Sequence, residues 1–432
     1  MKICVIGTGY VGLVVGACLA DMGNSVICVD NNEKKLEQLK NGIVPIFEPG
    51  LEEIVKTNLN EKRLSFALDL GFAVKNSDVC FIAVGTPQDK DGSADLTYVL
   101  EVAKKIAESM NGYKLIVNKS TVPVGTAEKM VDLIKQNTAY DFDIVSNPEF
   151  LKQGNAVDDF LSPDRVVIGS NSEKATVIMK EIYSPFLRTG NRIIVMDVKS
   201  AEMTKYAANS FLATKISFMN EIASLCEKVG ADVQMVRAGI ASDSRIGNKF
   251  LFPGIGFGGS CFPKDVNALI KIASEFKYDM KILSSVVEVN TNQAYKFVQK
   301  ILNYFSHDLS GLTIGVWGLS FKPKTDDMRE APSIVIINEL LKKGAKIQAF
   351  DPKAIENATR IFEDKIIYSE NAYEACNNVD CLLLLTEWNE FRRPDFEKIK
   401  SLMKQAVIFD GRNQYDSETL EKFGFEYFCV GK

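Results

Sequence analysis

Residues 2–30 read KICVIGTGYVGLVVGACLADMGNSVICVD, and this stretch decides the fold. Lys2–Ile6 is a short apolar run, the pattern of a strand buried on both faces. Gly7, Gly9 and Gly12 follow at once and open a helix-like stretch to Met22, after which Gly23 suits a helix C-terminus. Ser25–Val29 is the next strand, ending at Asp30. Gly7 permits a tight turn, Gly9 lets the backbone approach a pyrophosphate, and Gly12 lets the helix pack on the strand. The helix N-terminus offers unpaired N–H groups and partial positive charge. Asp30 lies where a carboxylate accepts bonds from a ribose 2′-hydroxyl and repels a 2′-phosphate. The expectation is an NAD site using Gly7, Gly9, Tyr10, Val11, Gly12 and Asp30, with Lys35 on the following helix as a further ribose or phosphate contact. A signal peptide also begins with a charge and an apolar run, but glycines at this spacing argue for strand, turn and helix instead.

Working outward, strand candidates recur at Val79–Val84, Leu115–Val117, Ile144–Val145 and Arg165–Ile168, with helix-like stretches between several of them. That alternation predicts a doubly wound parallel sheet. From Ala201 to Val229 there is no glycine or proline, and apolar residues recur at helical spacing. One long helix is expected there, with more helices from Val233 to about Tyr304. A second α/β unit starts at Leu312. It carries a faint repeat, because Gly23 to Asp30 and Gly344 to Asp351 share their glycine-to-aspartate spacing. The turn Gly315-Val-Trp-Gly318 lacks the full fingerprint, so this unit reads as Rossmann-like without the dinucleotide machinery. The fold class is therefore α/β. It has two Rossmann-like doubly wound domains (residues 1–199 and 311–432), joined by a long central helix and a helical dimerisation region (200–310).

Composition narrows the classes. The chain has 432 residues, 46% apolar and 25% charged, ordinary for a globular protein of two or three domains. A net charge of −5 leaves no footprint for nucleic acid or an anionic membrane. Nine scattered cysteines and a single histidine, His307, make a Cys/His metal site an unpromising reading, and no metal is expected. The thiols read as reduced and cytoplasmic.

Chemistry concentrates in GFGGSCFPKD, residues 256–265. Pro263 suits the first turn of a helix, which puts Cys261 at a helix N-terminus, where the dipole favours a thiolate. Lys264 and Asp265 lie within a turn of it. Lys205 and Asn209, spaced i, i+4 on the long helix, offer a cation and an amide to an oxyanion, against the blander reading of two exposed polar positions. Glu149 follows a strand and is a candidate acid or base. Thr86 and Thr121 also follow strands, on the side where a doubly wound sheet holds its ligand. With one histidine, proton transfer falls to carboxylates, lysine, or water held by threonine and aspartate.

Together the motifs resemble the UDP-glucose/GDP-mannose dehydrogenase family over nearly the whole length. They are GTGYVG at 7–12, VGTP at 84–87, KSTVPVGT at 119–126, SNPEFL at 146–151, DRVVIG at 164–169, AEMTKYAANSF at 201–211, SRIGNKFLFPGIGFGGSCFPKD at 244–265 and GLSFKPKTDDMR at 318–329. The resemblance implies NAD-dependent four-electron oxidation of UDP-glucose at C6 to the uronate, through a thiohemiacetal and a thioester on Cys261. It implies oxyanion stabilisation by Lys205 and Asn209, with Asp265, Thr121 and Glu149 positioning water or moving protons. A nucleotide-sugar cradle is implied at Glu149, Phe150, Leu151 and Lys152, and at Phe250, Leu251, Phe252, Pro253, Gly254 and Gly258, with Lys322 reaching substrate. Lys264, Arg329, Thr86 and Gln153 are implied on the cofactor side; many relatives carry an acid where Gln153 stands. Arg245 is offered across a homodimer interface in related enzymes, and Arg412 is a further substrate contact. The Phe257 form of the glycine loop favours UDP-glucose over GDP-mannose or UDP-N-acetylhexosamine, and a non-catalytic NAD-binding scaffold is the remaining alternative.

Overall fold

The computed structural model describes residues 1–89, 91–187 and 192–432. The chain divides into two compact units, Met1–Ala208 and Asn209–Lys432. The first is built on strands β1 (Lys2–Ile6), β2 (Ser25–Val29), β3 (Leu64–Ala67), β4 (Val79–Ile82), β5 (Lys114–Asn118), β6 (Phe142–Ser146), β7 (Arg165–Gly169) and β8 (Arg192–Met196). They form one sheet in the order β3-β2-β1-β4-β5-β6-β7-β8. The first six strands are parallel and follow the dinucleotide-binding order, which reverses between β1 and β4. β7 meets β6 antiparallel, and β8 runs parallel to β7, so this edge departs from the all-parallel sheet expected. Alternate β1 residues enter opposite cores: Ile3 and Val5 with Leu13 on one face, Cys4 and Ile6 with Ile106 on the other. The predicted strand Val79–Val84 closes at Ile82. The chain must leave the sheet there, because Gly85 and Pro87 follow and proline cannot donate to a ladder.

The second unit opens with the greater part of a 32-residue helix, Val198–Val229, which begins three residues before the expected Ala201. Helices Val233–Ala241, Phe262–Glu275 and Lys281–Tyr304 follow. Its sheet comprises β9 (Thr313–Trp317), β10 (Lys346–Phe350), β11 (Ile367–Tyr368), β12 (Cys381–Leu384), β13 (Val407–Asp410) and β14 (Glu426–Cys429). The order is β11-β10-β9-β12-β13-β14, all parallel, which repeats the order of the first six strands.

The repeat extends to single bonds. Gly7 N donates to Val29 O at 2.8 Å, and Gly318 N to Phe350 O at 2.9 Å. Thr8 N donates to Asp30 Oδ2 at 2.9 Å, and Leu319 N to Asp351 Oδ2 at 2.7 Å. The carboxylates then diverge. Asp351 is buried and also accepts from Ser320 N, the Trp388 indole, Lys353 N and Ala354 N. Asp30 stays half-buried and binds Thr8, Asn32 and Lys35. The second aspartate thus serves the fold, while the first is less deeply enclosed. Gly318 has φ +90°, and a Cβ there would lie 2.4 Å from the Thr386 Cβ. Gly318→Ala should destabilise the protein by about 2–4 kcal/mol. Urea unfolding measures this, and an unchanged midpoint would count against the turn as the anchor of the second sheet.

Candidate active site

In the first unit, the helix Tyr10–Asp21 begins at Gly9 with no side-chain cap and no acid in its first turn. Its leading N–H groups are therefore left for a ligand. A Cβ on Gly12 would lie 1.9 Å from the Gly7 carbonyl oxygen, so only glycine permits this turn. A Cβ on Gly9 would meet nothing within 4 Å, so that glycine keeps open a space the protein does not fill. Burial alone would raise the Asp30 carboxyl, but hydrogen bonds from Thr8 and Lys35, and the Lys35 charge, bring it to about 2. The carboxylate is ionised at the end of β2, where a ribose hydroxyl is bound in this fold. Lys35 pairs with Asp30 at 3.0 Å and so holds this carboxylate in its charged form. This open helix end and ionised acid fit NAD. Thr86 Oγ1 donates to Thr121 O at 2.8 Å, tying together the loops after β4 and β5.

Glu149, three residues past β6, accepts from Leu151 N at 2.6 Å and from Lys205 Nζ at 2.8 Å. Both side chains of this ion pair are buried, at 6% and 5% exposure. The reading of Lys205 as an exposed lysine is excluded. Burial pushes the Glu149 carboxyl up, but Lys205 and the Leu151 N–H outweigh it, and the net direction is down. The Phe150 ring lies 3.7 Å beneath the Arg165 guanidinium. Lys152 pairs with Asp159 at 2.9 Å, Leu151 and Gln153 are half-buried, and Val11 is half-buried in the helix after Gly9. Sequence reading passed over Glu48. It accepts from the Tyr10 hydroxyl and from Gly154 N and Ala156 N, both at 2.7 Å, and so clamps the 149–156 loop to the start of the cofactor helix.

Of the nine thiols in the chain seven are buried, Cys429 is half-buried, and Cys261, in the second unit, is the one exposed. Burial pushes the Cys28 thiol up to about 12, which marks it as an inert packing group. Cys261 is the N-cap of the helix Phe262–Glu275, with Pro263 in the first turn, as its sequence predicts. Asp265, one turn on, is 1% exposed. It accepts from Asn209 Nδ2 at 2.6 Å and pairs with Lys264 at 2.7 Å. Asn209 is buried too, so it is not a solvated polar position. The Arg329 guanidinium is raised chiefly by Asp327; burial opposes this and the Cys261 sulfur adds to it. A thiolate and this guanidinium would stabilise one another.

The loop before the thiol is pinned by amides that sequence reading missed. Gly254 N donates to Asn220 Oδ1, and Gln293 Nε2 donates to Gly254 O, each at 2.8 Å. Asn290 brackets Phe257, accepting from its N–H at 2.8 Å and donating to its carbonyl at 3.0 Å. Their signal was an amide at an apolar position of a helical pattern. A Cβ on Gly258 would lie 2.2 Å from Glu330 O, so backbone meets backbone there. Phe250 has φ +62°, a strained value for an aromatic residue at a candidate cradle position. Leu251 and Pro253 are buried, while Phe252 is exposed beneath Arg237. Lys322 is half-buried over Phe321. Arg412 is tied by its own unit, donating to Leu385 O at 2.7 Å and Phe321 O at 3.2 Å. Arg245 is exposed and folds back on Asp243 at 2.6 Å.

Three family models match in order: the NAD binding domain over residues 1–187, the central domain over 199–292 and the UDP binding domain over 315–417. The chain belongs to the UDP-glucose/GDP-mannose dehydrogenase family. A curated relative in the family, UDP-glucose 6-dehydrogenase TuaD of Bacillus subtilis, is 50% identical over 100% of this chain and 93% of its own. A solved UDP-glucose dehydrogenase from Pyrobaculum islandicum matches with TM-score 0.92 at 36% identity, covering 99% of this chain and 96% of its own. A solved UDP-D-ManNAc dehydrogenase from Pyrococcus horikoshii matches with TM-score 0.87 at 27% identity, covering 100% and 99%. Membership makes the chain an NAD-dependent oxidoreductase with a UDP-binding domain.

The buried pair yields a stability test. Glu149→Gln or Lys205→Met alone leaves a buried charge uncompensated and should destabilise by about 3–5 kcal/mol. The double variant should lose less than the sum of the two. Simple additivity in urea unfolding would show that the two charges are not coupled.

Proposed function

We propose that the chain oxidises UDP-glucose at C6 to UDP-glucuronate, with two NAD reduced per sugar and a thioester on Cys261 as intermediate. The single observation behind this reading is that one exposed thiol caps a helix whose first-turn Asp265 accepts from Asn209 of the long helix. NAD, held by the Gly7–Gly12 turn and Asp30, supplies the two-electron acceptor for each oxidation. At the aldehyde stage the Cys261 sulfur adds to the carbonyl carbon, forming a C–S bond, and the oxygen gains a proton. After the second two-electron oxidation the carbon is a thioester. Water adds to it, the C–S bond breaks, and the thiol and carboxylate separate. Lys205 and Asn209, one turn apart on a single helix, are the donors for the developing oxyanion. Glu149, ionised beside Lys205, and Asp265 take up and return protons, with Thr121 holding water. In the first unit Phe150–Lys152 are the proposed sugar contacts, and in the second Phe250–Gly254, Gly258 and Lys322, with Arg245 and Arg412 as further ones. Thr86, Gln153, Lys264 and Arg329 serve the cofactor side, with Tyr10, Val11 and Lys35.

UDP-glucose is favoured over an N-acetylated sugar by 50% identity to a UDP-glucose dehydrogenase against 27% to a ManNAc dehydrogenase. The Glu149–Lys205 and Asp265–Asn209 contacts argue against a silent scaffold. The three-part division at residues 199 and 310 belongs to the same proposal, as does a cytoplasmic enzyme, supported by nine free thiols. Among the described residues no helix is long and apolar enough to cross a membrane.

A homodimer through the central helices is also proposed. The long helix exposes Phe211, Phe218 and Leu225 at 66%, 51% and 54%, seven residues apart and so on one stripe. Phe218→Glu should yield a monomer in sedimentation, and an unchanged species would remove that stripe from the interface. For the reaction, the purified enzyme should release two NADH per UDP-glucose, and one would indicate simple alcohol oxidation. Cys261→Ser should lose uronate formation by at least a hundredfold while still binding NAD and sugar; uronate at the native rate would exclude the thioester.

A further inference from the structure

Behind the Glu149–Lys205 pair lies a third buried charge that the mechanism above does not use. Lys119 follows β5 and is 5% exposed. Its Nζ donates to Asn147 Oδ1 at 3.1 Å and to the Tyr183 hydroxyl at 3.2 Å. Tyr183 in turn donates to the same Asn147 oxygen at 2.6 Å, and Asn147 Nδ2 donates to Val167 O at 2.7 Å. The ammonium sits 5.6 Å from the Tyr183 ring centroid and 6.0 Å from that of Phe160. A buried lysine boxed by an amide, a phenol and a second aromatic ring is costly to the fold, and an apolar residue of similar volume would fill the space with less penalty. Its placement therefore calls for an electrostatic role.

We propose that Lys119 is a positioning residue of the reaction, a second buried cation that keeps the Glu149 carboxylate ionised beside Lys205. This rests on the reading of Glu149 as a proton-handling group. The charges that act on Lys119 are Glu149, after β6, and Lys205, on the long helix. From the helix Ala156–Leu161 the facing group is the Phe160 ring, while Asp159 of that helix pairs with Lys152. From the helix Glu173–Tyr183 it is Tyr183, whose phenol burial pushes above its usual range. From β7, Arg165 acts on Glu149. Burial pulls the Lys119 ammonium down to about 8, with Glu149 opposing and Lys205 adding to the fall. Lys119 in turn helps to hold the Glu149 carboxyl down. Below pH 8 the two cations together favour the carboxylate. As pH rises through 8, Lys119 loses its proton and Glu149, left with one buried cation, stays ionised but becomes a stronger base, which gives the profile an inflection there.

The test is the pH profile of kcat for uronate release by the full-length enzyme. Lys119→Met removes the charge and keeps the stem. The acid limb, set by Glu149, should move to higher pH by roughly 0.5–1.5 units, with KM for sugar and NAD unchanged. Lys119→Arg retains a charge at every pH, so its acid limb should stay in place and the wild-type inflection near pH 8 should vanish. Tyr183→Phe, a mild change, removes one acceptor from the ammonium and should move that inflection to lower pH. Limbs that coincide with wild type in Lys119→Met and Tyr183→Phe would overturn the proposal. Should Lys119→Met not fold, an unmoved inflection in Tyr183→Phe would overturn it alone. Absence of uronate from the wild-type enzyme would instead reject the reading of the reaction, so the two failures are distinguishable.

Discussion

Both sheets depend on one interaction, an aspartate at the end of the second strand accepting the N–H of the residue after the glycine turn. It closes the turn after β1 through Asp30 and the turn after β9 through Asp351. The turn must be tight to aim a helix N-terminus at the edge of the sheet, and a tight turn leaves backbone donors without helical partners. A carboxylate satisfies them. In the first unit this acid stays near the surface with Lys35 beside it, and a ligand can share it. In the second, indole and backbone donors surround it. One device thus stays open in one unit and is closed into the architecture in the other.

The chemistry is organised around charges kept out of water. Glu149 with Lys205, and Asp265 with Lys264 and Asn209, are buried acids whose partners are in place before any substrate arrives. Buried ion pairs contribute little net stability, so their worth lies in fixed geometry and strengthened fields. Exposure is reserved for one thiol. Eight thiols are wholly or partly withdrawn from solvent, and Cys261 stands at a helix start within the electrostatic reach of Arg329.

Much of this was legible in the residue order. The glycine spacing, the strand ending at Asp30, the long helix and the helix start at Cys261 are local features, and local rules recover them. The Lys205–Asn209 pair was legible as a shared face, but its burial was not, because exposure depends on what packs against a helix. Glu48, Asn220, Asn290 and Gln293 were missed because their partners lie far away in sequence. Glu48 meets Gly154 and Ala156 more than a hundred residues on, a closure no local pattern encodes. The reversal at β7 was hidden for a similar reason, since a strand reads alike in either direction.

The amide clamps on the thiol loop separate two kinds of control. Asn220, Asn290 and Gln293 carry no charge at any pH, and they are the groups that grip Gly254 and Phe257. A change of pH therefore leaves the grip on the loop untouched. The path of the backbone that presents the sulfur is thus insulated from acidity and salt.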